Sequence, residues 1–330
     1  MTVGRNAASI PFASVIVPTR GRPGKLLRAL SSIQAQDERD WEAIVVDDGD
    51  GEGLAAVRTL ADPRVHALGG TGQGPAEARA AGIARAAGRL VCWLDDDDWW
   101  EDPHHLSALC AALGRAGERR FLFRGGWLVH EHDGTREVFD HPATSESLRV
   151  NNTILTSSIA YPLAARAELG PLDPAVGGYC DWDFMLRLCD AGFELVQVAG
   201  LGVCYEVGAP SLSKAYDAPA RRAQFERFRA KHGLEIELSN HERIHKMLSE
   251  MPVPDGWAEV DGALERTFRL ESFPAAIAFV TRVAGLAEAE NHHPDIAISY
   301  RDVTLRWRTH SAEAITDRDR ELASASAALA

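Results

Sequence analysis

Near the end of the chain, three histidines and two carboxylates recur at spacings suited to moving protons. Glu288 precedes the pair His292-His293, and His310 and Asp319 follow downstream. Because the unperturbed pKa of histidine lies near neutrality, such a cluster can donate and accept protons at working pH. The pattern predicts general acid–base catalysis. Two alternatives remain open: the histidine pair caps a helix, or the three imidazoles bind zinc.

A run of four aspartates forms the second group with chemical potential. Asp95, Asp96, Asp97 and Asp98 close the apolar stretch 89–94 and precede two tryptophans. Adjacent carboxylates repel one another unless a cation lies among them. Mg²⁺ and Mn²⁺ take oxygen ligands and often share them with phosphates. The run predicts a metal-bridged diphosphate site, and a solvated acidic turn is the alternative.

The segments before these acidic positions alternate between strand and helix patterns. Helical spacing begins at Pro23 and at Pro75. Such alternation predicts an α/β fold with a mostly parallel sheet. Ligands bind these sheets beyond the carboxyl ends of the strands, which is where Thr19, Asp48 and the aspartate run fall. Apolar, β-branched runs mark four candidate strands: residues 14–18, 42–46, 64–68 and 89–94.

The pattern changes after Gly233, where a helical stretch ends. The segment 234–240 that follows predicts a junction between two domains, 1–238 and 239–330. A chain of 330 residues is long enough for two such units.

The second domain has the pattern of a small α+β unit. A long helix is predicted over 273–290, and a last helix begins at Thr316. The apolar residues of the long helix at helical spacing are Phe273, Ile277, Val280, Ala284 and Ala287. The arrangement predicts a four-stranded antiparallel sheet with helices covering one face. Apolar or alternating runs mark its four candidate strands: residues 257–260, 264–270, 296–300 and 303–307.

Four motifs of the first domain resemble, in order and spacing, those of family 2 glycosyltransferases: residues 14–22, 45–49, 74–79 and 94–100. The resemblance implies a Rossmann-like GT-A domain that takes a sugar from a nucleotide-sugar donor with Mn²⁺ or Mg²⁺. It assigns the metal to Asp97 and Asp98. The same resemblance assigns donor binding to seven residues: Pro18, Thr19, Arg22, Asp48, Arg79, Asp95 and Asp96.

Asp181 matches the position of the family's catalytic base. A carboxylate at a helix N-terminus is stabilised as the anion. By the resemblance, Asp181 takes the proton of an acceptor hydroxyl and the sugar is transferred with inversion. A purely structural N-cap is the alternative. Cys180 and Ala80 stand where the family often has Glu and Asn, which leaves the donor sugar and the acceptor open.

The second domain resembles pterin-4a-carbinolamine dehydratases (4a-hydroxytetrahydrobiopterin dehydratases). The resemblance is carried by five residues whose spacing matches the family signature with no insertion or deletion: Glu288, His292, His293, His310 and Asp319. The resemblance implies that the three histidines line the site, and that the two carboxylates orient imidazoles or bind the pterin. It also implies catalysis without metal or cofactor, and self-association. Dehydration protonates a departing hydroxyl and removes a proton from a ring nitrogen, work that two imidazoles can divide.

Composition restricts the partners and the compartment. The net charge of −13 argues against nucleic-acid binding, which needs a basic surface. No apolar run approaches the roughly 20 residues of a membrane span. The N-terminus lacks the pattern of a signal peptide. The five cysteines include no CxxC pair, as expected of buried thiols in a reducing compartment. These features predict a cytoplasmic protein.

Together, the patterns and resemblances predict a bifunctional enzyme, a sugar transferase joined to a pterin dehydratase. Its substrates would be a nucleotide sugar and a 4a-hydroxytetrahydropterin, and it would form a homo-oligomer through the second domain. The alternative is a glycosyltransferase whose second domain is a non-catalytic binding or dimerisation module.

Overall fold

The computed structural model contains two folded units. Among the residues it describes, no helix is both long enough and apolar enough to cross a membrane. His310, one of the histidines predicted for the second site, lies outside the described residues. The described residues are 10–114, 119–208, 219–249, 252–309 and 315–330.

The first unit, within the described residues, is a nine-stranded mixed sheet in the order β3-β2-β1-β4-β8-β6-β9-β5, with β7 paired to β6. The half formed by β1 to β4 is parallel, as the alternating pattern predicts, and β8, β7 and β5 join antiparallel. The α/β fold class is confirmed. The strands are β1 (Ala13–Thr19), β2 (Trp41–Asp47), β3 (Val65–Gly69), β4 (Leu90–Trp93), β5 (Trp99–Trp100), β6 (Arg120–His130), β7 (Arg136–Phe139), β8 (Ala160–Pro162) and β9 (Glu194–Val207).

Helices cover both faces of this sheet. Successive residues of a strand point to opposite faces, so Val15 and Val17 belong to one core and Ile16 to the other. Burial on both faces explains why the parallel strands read as continuous apolar runs. The helices are α1 (Pro23–Gln34), α2 (Glu52–Leu60), α3 (Pro75–Arg85), α4 (His105–Leu113), α5 (Ala165–Leu169), α6 (Cys180–Asp190) and α7 (Pro219–His232).

Strand register brings the predicted site residues to one edge. Thr19 at the end of β1 lies beside Asp47 of β2, which in turn lies beside Gly69 of β3. On the other side of β1, Ile16 is paired with Trp93 of β4. The aspartate run that follows β4 therefore emerges at the same carboxyl-terminal edge as Thr19.

The second unit, within the described residues, is a four-stranded antiparallel sheet in the order β10-β11-β13-β12. Its core joins one face of the sheet to two of its helices, α9 and α10. The predicted α+β unit is confirmed. Its elements are α8 (His241–Ser249), β10 (Ala258–Val260), β11 (Ala263–Arg269), α9 (Phe273–Glu290), β12 (Asp295–Ser299), β13 (Asp302–Trp307) and α10 (Asp317–Ala327).

The apolar residues at helical spacing mark the buried face of α9 only in part, because Ala287 is buried whereas Ala284 is exposed. Phe279 and Val283 are fully buried, whereas Phe273 and Ile277 are 47% and 42% exposed. The helix carries apolar residues on most of its circumference, so several faces satisfy helical spacing. The packing of α9 against β13 selects the face, and a single sequence does not contain that information.

The burial of α9 predicts unequal effects for two phenylalanines of the same helix. Phe279→Ala should lower the free energy of unfolding by about 3–5 kcal/mol, because it leaves a cavity in the core. Phe273→Ala, at an exposed position, should cost less than about 1 kcal/mol. Urea unfolding of the full chain, followed by tryptophan fluorescence, measures both. Equal losses would contradict this packing.

Candidate active sites

The aspartate run lies against the start of α1, where it meets Arg22. Thr19 Oγ1 donates to Asp96 Oδ2 at 2.6 Å, and Arg22 Nε donates to the same oxygen at 3.3 Å. The Arg22 guanidinium also bonds to Asp96 Oδ1 and to Asp97 Oδ2. Burial raises the pKa of Asp96 to about 6, partly offset by Arg22 and Thr19. The structure therefore brings Thr19, Arg22, Asp96 and Asp97 together.

Besides burial, neighbouring carboxylates of the run contribute to the raised pKa values of Asp96, Asp97 and Asp98. Burial is the largest cause of the raised pKa of Asp97, and the charge of Asp95 adds to it. Arg22 opposes the shift but does not cancel it. A cluster of this kind is short of positive charge, and a cation placed among the carboxylates would stabilise their ionised forms.

Asp98 is as buried as Asp96, and both of its oxygens accept hydrogen bonds from the protein. It is 1% exposed, Ser157 Oγ donates to its Oδ2, and the backbone N–H of Glu206 donates to its Oδ1 at 2.9 Å. Burial raises its pKa well above the usual value. Both oxygens of Asp98 are therefore already bonded to groups of the first unit. This geometry favours Asp97 over Asp98 as the residue able to face a metal ion.

Arg79 connects the aspartate run to α6. Its guanidinium bonds to Asp95 Oδ1, and its Nη1 lies 3.8 Å from Cys180 Sγ. Burial disfavours the charged guanidinium, but the charges of Asp95 and Asp181 outweigh it and raise the pKa of Arg79. The guanidinium also lies over the Trp93 ring, 5.2 Å from its centroid. Arg79 is therefore a fixed cation between the two acidic positions.

Asp181 occupies the first turn of α6, as predicted. Its Oδ2 accepts from Thr156 Oγ1 at 2.5 Å, and its Oδ1 accepts from the backbone N–H of Trp182 at 2.8 Å. Asp183, two residues on, is fully buried and bonds to Arg187 and His232. Burial alone would raise the pKa of Asp183, but its cationic partners lower it. Asp183 therefore anchors the helix, while Asp181 is half-buried in its first turn.

Asp48 holds the glycine-rich loop between β3 and α3. Its two oxygens accept from the backbone N–H groups of Gly72 and Gly74, both at 2.7 Å. A side chain at Gly70 would collide with the Asp48 carboxylate, which explains a glycine there. Pro18 is buried within β1 beside Val46. Asp48 thus shapes a loop at the same sheet edge as the aspartate run.

Sequence reasoning missed two cations on α1 and the carboxylate that holds them. Lys25 and Arg28 both bond to Glu206 near the end of β9, Arg28 at 2.7 Å. Arg28 also lies over the Trp99 ring, 4.1 Å from its centroid. A signal was present: Arg22, Lys25 and Arg28 recur every three residues, which places them on one side of a helix.

In the second unit, His292 is held by a fully buried carboxylate. Its Nε2 lies 2.7 Å from Asp319 Oδ1. The other oxygen of Asp319 accepts from Thr309 Oγ1 at 2.9 Å and from the backbone N–H of Thr316 at 2.7 Å. The His292 ring stacks on Trp307 with centroids 5.8 Å apart. Of the two roles left open for Asp319, orienting an imidazole fits its burial.

His293 and Glu288 are close to each other and open to solvent. His293 Nε2 lies 3.2 Å from Glu288 Oε1, and both side chains are more than half exposed. Asn291, with φ at 47°, ends α9 in the left-handed conformation and turns the chain so that His292 points inward. The helix end is capped by the backbone N–H groups of Asn291 and His292 rather than by an imidazole.

Histidines also join the two units. His141, just after β7, bonds through Nδ1 to Asp317 of α10 and through Nε2 to His245 Nδ1 of α8 at 3.0 Å. Burial, followed by the neighbouring His141, lowers the pKa of His245. Sequence reasoning did not single out these residues, because their proximity depends on how the units pack. The contact ties the start of α10 to the first unit.

Within the described ranges, no group of three or more His, Cys, Asp or Glu side chains is arranged to hold a metal ion by itself. A metal ion at the aspartate run would thus take most of its ligands from a bound substrate rather than from these side chains. Magnesium sites that use one or two carboxylates together with substrate phosphates have this character.

Two protein families match different parts of the chain. Residues 14–124 match the model of glycosyl transferase family 2, and residues 237–329 match that of pterin 4 alpha carbinolamine dehydratase. An uncharacterized glycosyltransferase of Bacillus subtilis, YwdF, is 29% identical over 231 residues, covering 67% of this chain and 84% of that protein. A putative pterin-4-alpha-carbinolamine dehydratase of Roseiflexus castenholzii is 46% identical over 86 residues, covering 26% of this chain and 89% of that protein.

A solved structure supports the fold of the first unit. The mannosyltransferase PcManGT from Pyrobaculum calidifontis, in complex with GDP-Man and Mn²⁺, superposes with a TM-score of 0.51 at 19% identity. The match covers 70% of this chain, which spans 66% of that chain. Similarity at this level of identity concerns the fold of the first unit.

Proposed function

This chain belongs to the pterin-4a-carbinolamine dehydratase family in its C-terminal part and carries a family 2 glycosyltransferase domain in its N-terminal part, and we propose that both domains are catalytic. The first transfers a sugar from a nucleotide-sugar donor, and the second dehydrates a 4a-hydroxytetrahydropterin to the quinonoid dihydropterin. The domains are 1–238 and 239–330, with the boundary in the irregular segment between α7 and α8.

The transferase proposal is carried by the arrangement of Arg79 between Asp95 and Asp181. The donor nucleotide and diphosphate would bind along the sheet edge that carries Pro18, Thr19, Asp48 and the aspartate run. Arg79 fixes the distance from this edge to the first turn of α6. The structural neighbour PcManGT was solved with GDP-Man and Mn²⁺, which supports a nucleotide-sugar donor of this kind.

A divalent metal, Mn²⁺ or Mg²⁺, fits the residues of the aspartate run. The raised pKa values of Asp96 and Asp97, caused first by burial, indicate carboxylates that lack sufficient positive charge. Asp97 is the residue we assign to the metal, because both oxygens of Asp98 already accept from Ser157 and from the Glu206 backbone. When bound, the ion would neutralise the charge of the departing diphosphate.

Asp181 is the proposed catalytic base of the transfer. Its carboxylate is fixed by Thr156 and by the backbone N–H of Trp182, and it lies in the first turn of α6. It would take the proton of the acceptor hydroxyl while that oxygen displaces the diphosphate from the sugar carbon. Attack from the opposite side inverts the configuration at that carbon.

The dehydratase proposal is carried by the His292–Asp319 pair. With Nε2 directed at Asp319, the Nδ1 atom of His292 is left for the substrate. An imidazole protonates the 4a-hydroxyl, which leaves as water when its bond to carbon breaks. A second imidazole removes the proton from the neighbouring ring nitrogen, and the nitrogen–hydrogen electron pair forms the new C=N bond. His293 and His310 are the proposed partners, and Glu288 holds His293. No cofactor is required for this step.

The dehydratase proposal predicts that His292→Ala lowers the rate of 4a-hydroxytetrahydropterin dehydration by about 10²- to 10⁴-fold, the usual contribution of a positioned proton-transfer group. Asp319 keeps its bonds to Thr309 and Thr316, so the fold should persist. Stopped-flow absorbance measures the rate. His132→Ala, at an exposed histidine paired with Asp133, is the matched control. An unchanged rate in His292→Ala would favour the non-catalytic module.

The metal proposal predicts a loss of cation-dependent donor binding in Asp97→Asn. For the unsubstituted chain, GDP-mannose or UDP-glucose with Mn²⁺ should raise Tm more than the same nucleotide with EDTA, because ligands that bind the folded state stabilise it. Asp97→Asn should lose this difference. Asp50→Asn, at an exposed carboxylate outside the run, should keep it. If Asp97→Asn retained the full Mn²⁺ effect, the metal assignment would be refuted.

Self-association through the C-terminal domain is the third prediction. β12 is an edge strand of the second sheet, and its Ile296 and Ile298 are 36% and 41% exposed. Unpaired strand edges readily pair with another chain. Ile298→Lys should therefore shift the chain towards monomer in sedimentation velocity. Ile10→Lys, at an exposed isoleucine of the first unit, is the control. A monomeric unsubstituted chain would rule the proposal out.

A further inference from the structure

A cavity of about 400 Å³ lies where the two domains meet, beside the proposed dehydratase residues. On the dehydratase side it is lined by residues that include His292, His293 and Thr309. The opposite wall comes from the transferase domain. His292 therefore faces a space that only the two domains together enclose. The transferase residues of the wall are Asp140, Gln197, Ala199 and Gly200.

Asp140 is the charged group of this transferase wall. It is 7% exposed, and its Oδ1 accepts from Gln197 Nε2 at 2.7 Å. Gln197 is fixed in turn, because its Oε1 accepts from Arg318 Nη1 of α10 at 2.8 Å. Arg318 also bonds to the backbone oxygen of Glu290 at the end of α9. Among the described residues, Asp140 Oδ2 has no hydrogen-bond partner, so it remains available to a ligand.

The backbone of the transferase domain is shaped to hold this wall. The pairing of β6 with β9 shifts register twice, at Arg124/Gly125 and at Gly125/Gly126, so Ala199 and Gly200 bulge out of the ladder. A Cβ at Gly125 would lie 2.2 Å from Asp140 Oδ1, so the carboxylate needs a glycine beneath it. Gly200 has φ at 94°. Bulges with glycine commonly re-aim chain segments next to functional sites.

We propose that the transferase domain completes the dehydratase site, with Asp140 as a specificity-determining residue that binds N–H donors of the pterin. This inference rests on the proposed dehydratase function. The chemistry fits because the 2-amino-4-oxopyrimidine edge of a pterin presents adjacent N–H donors, which a carboxylate accepts well. Gln197 is a positioning residue: both ends of its amide are used, one by Asp140 and the other by Arg318.

In this arrangement, binding of the pterin by the dehydratase domain uses residues of the transferase domain. Arg318 and Asp319 are neighbours in the first turn of α10, yet Arg318 reaches Gln197 whereas Asp319 reaches His292. The first turn of α10 thus connects Gln197 in the transferase wall to the imidazole of His292. A ligand bound between them would contact residues of both domains.

The first test compares full chains with Asp140→Asn and Asp133→Asn, the second at an exposed aspartate of the β6–β7 turn. Asp140→Asn is isosteric and can still accept from Gln197, so the fold should persist. The KM for 4a-hydroxytetrahydropterin should rise about tenfold, the effect of losing a hydrogen bond to a charged group, with a smaller change in kcat. Asp133→Asn should match the unsubstituted chain.

A pair of ligands separates recognition from a structural effect. Pterin carries a 2-amino group and lumazine a 2-oxo group at the same position. The unsubstituted chain should bind pterin more tightly than lumazine in a fluorescence titration. Asp140→Asn should reduce that preference by about tenfold, because the introduced carboxamide can donate to the 2-oxo group. A merely structural role for Asp140 would weaken both ligands equally, and that result would overturn the proposal.

A steric variant tests the wall itself. Ala199→Phe, at an exposed residue of the bulge, should fill the cavity and raise the KM for the pterin, whereas Ala84→Phe, exposed on α3, should not. His292→Ala is run in the same assay. If the unsubstituted chain and His292→Ala dehydrate the substrate equally, the dehydratase function fails. If His292→Ala is impaired while Asp140→Asn and Ala199→Phe match their controls, only the composite site fails.

Discussion

Both proposed active sites contain carboxylates that are buried away from water. Each of these carboxylates needs a hydrogen-bond donor or a cation in contact with it. A buried carboxylate left without any hydrogen-bond or charge partner would destabilise the fold, so the compensating groups are held firmly. Asp319 fixes the His292 ring, and Arg79 fixes Asp95. Asp96 is compensated by Thr19 and Arg22. The functional side chains are therefore oriented by charge compensation as much as by apolar packing.

Pairing of charged and polar side chains also joins the two domains. Successive residues of a helix point about 100° apart, so the first turn of α10 presents three side chains in different directions. Asp317 meets His141 and Arg318 meets Gln197, both in the transferase domain. Asp319 turns inward to His292 and also closes the capping box of the helix. The first turn of α10 thus orients His292, caps the start of its own helix and contacts the transferase domain.

Much of the fold follows from local pattern. The parallel strands β1, β2 and β4 are buried on both faces, and their continuous apolar runs mark them clearly in the sequence. The small sheet follows from alternation, as in β13, where Val303, Leu305 and Trp307 are buried on one face. The buried face of α9 does not follow from the spacing alone, because that helix is apolar on most sides and only its partner strand selects the buried positions.

The sequence by itself determined the two families, the strands β1 to β4 and β10 to β13, and the residue types at the two sites, because these depend on neighbours along the chain. It did not predict β5 to β9, which complete the first sheet. It could not separate Asp97 from Asp98, since burial beside Ser157 depends on a segment far away in sequence. Nor could it place Asp140 opposite His292, because those residues belong to different domains. Charge compensation and cavity formation act across space, and only the tertiary structure brings those groups together.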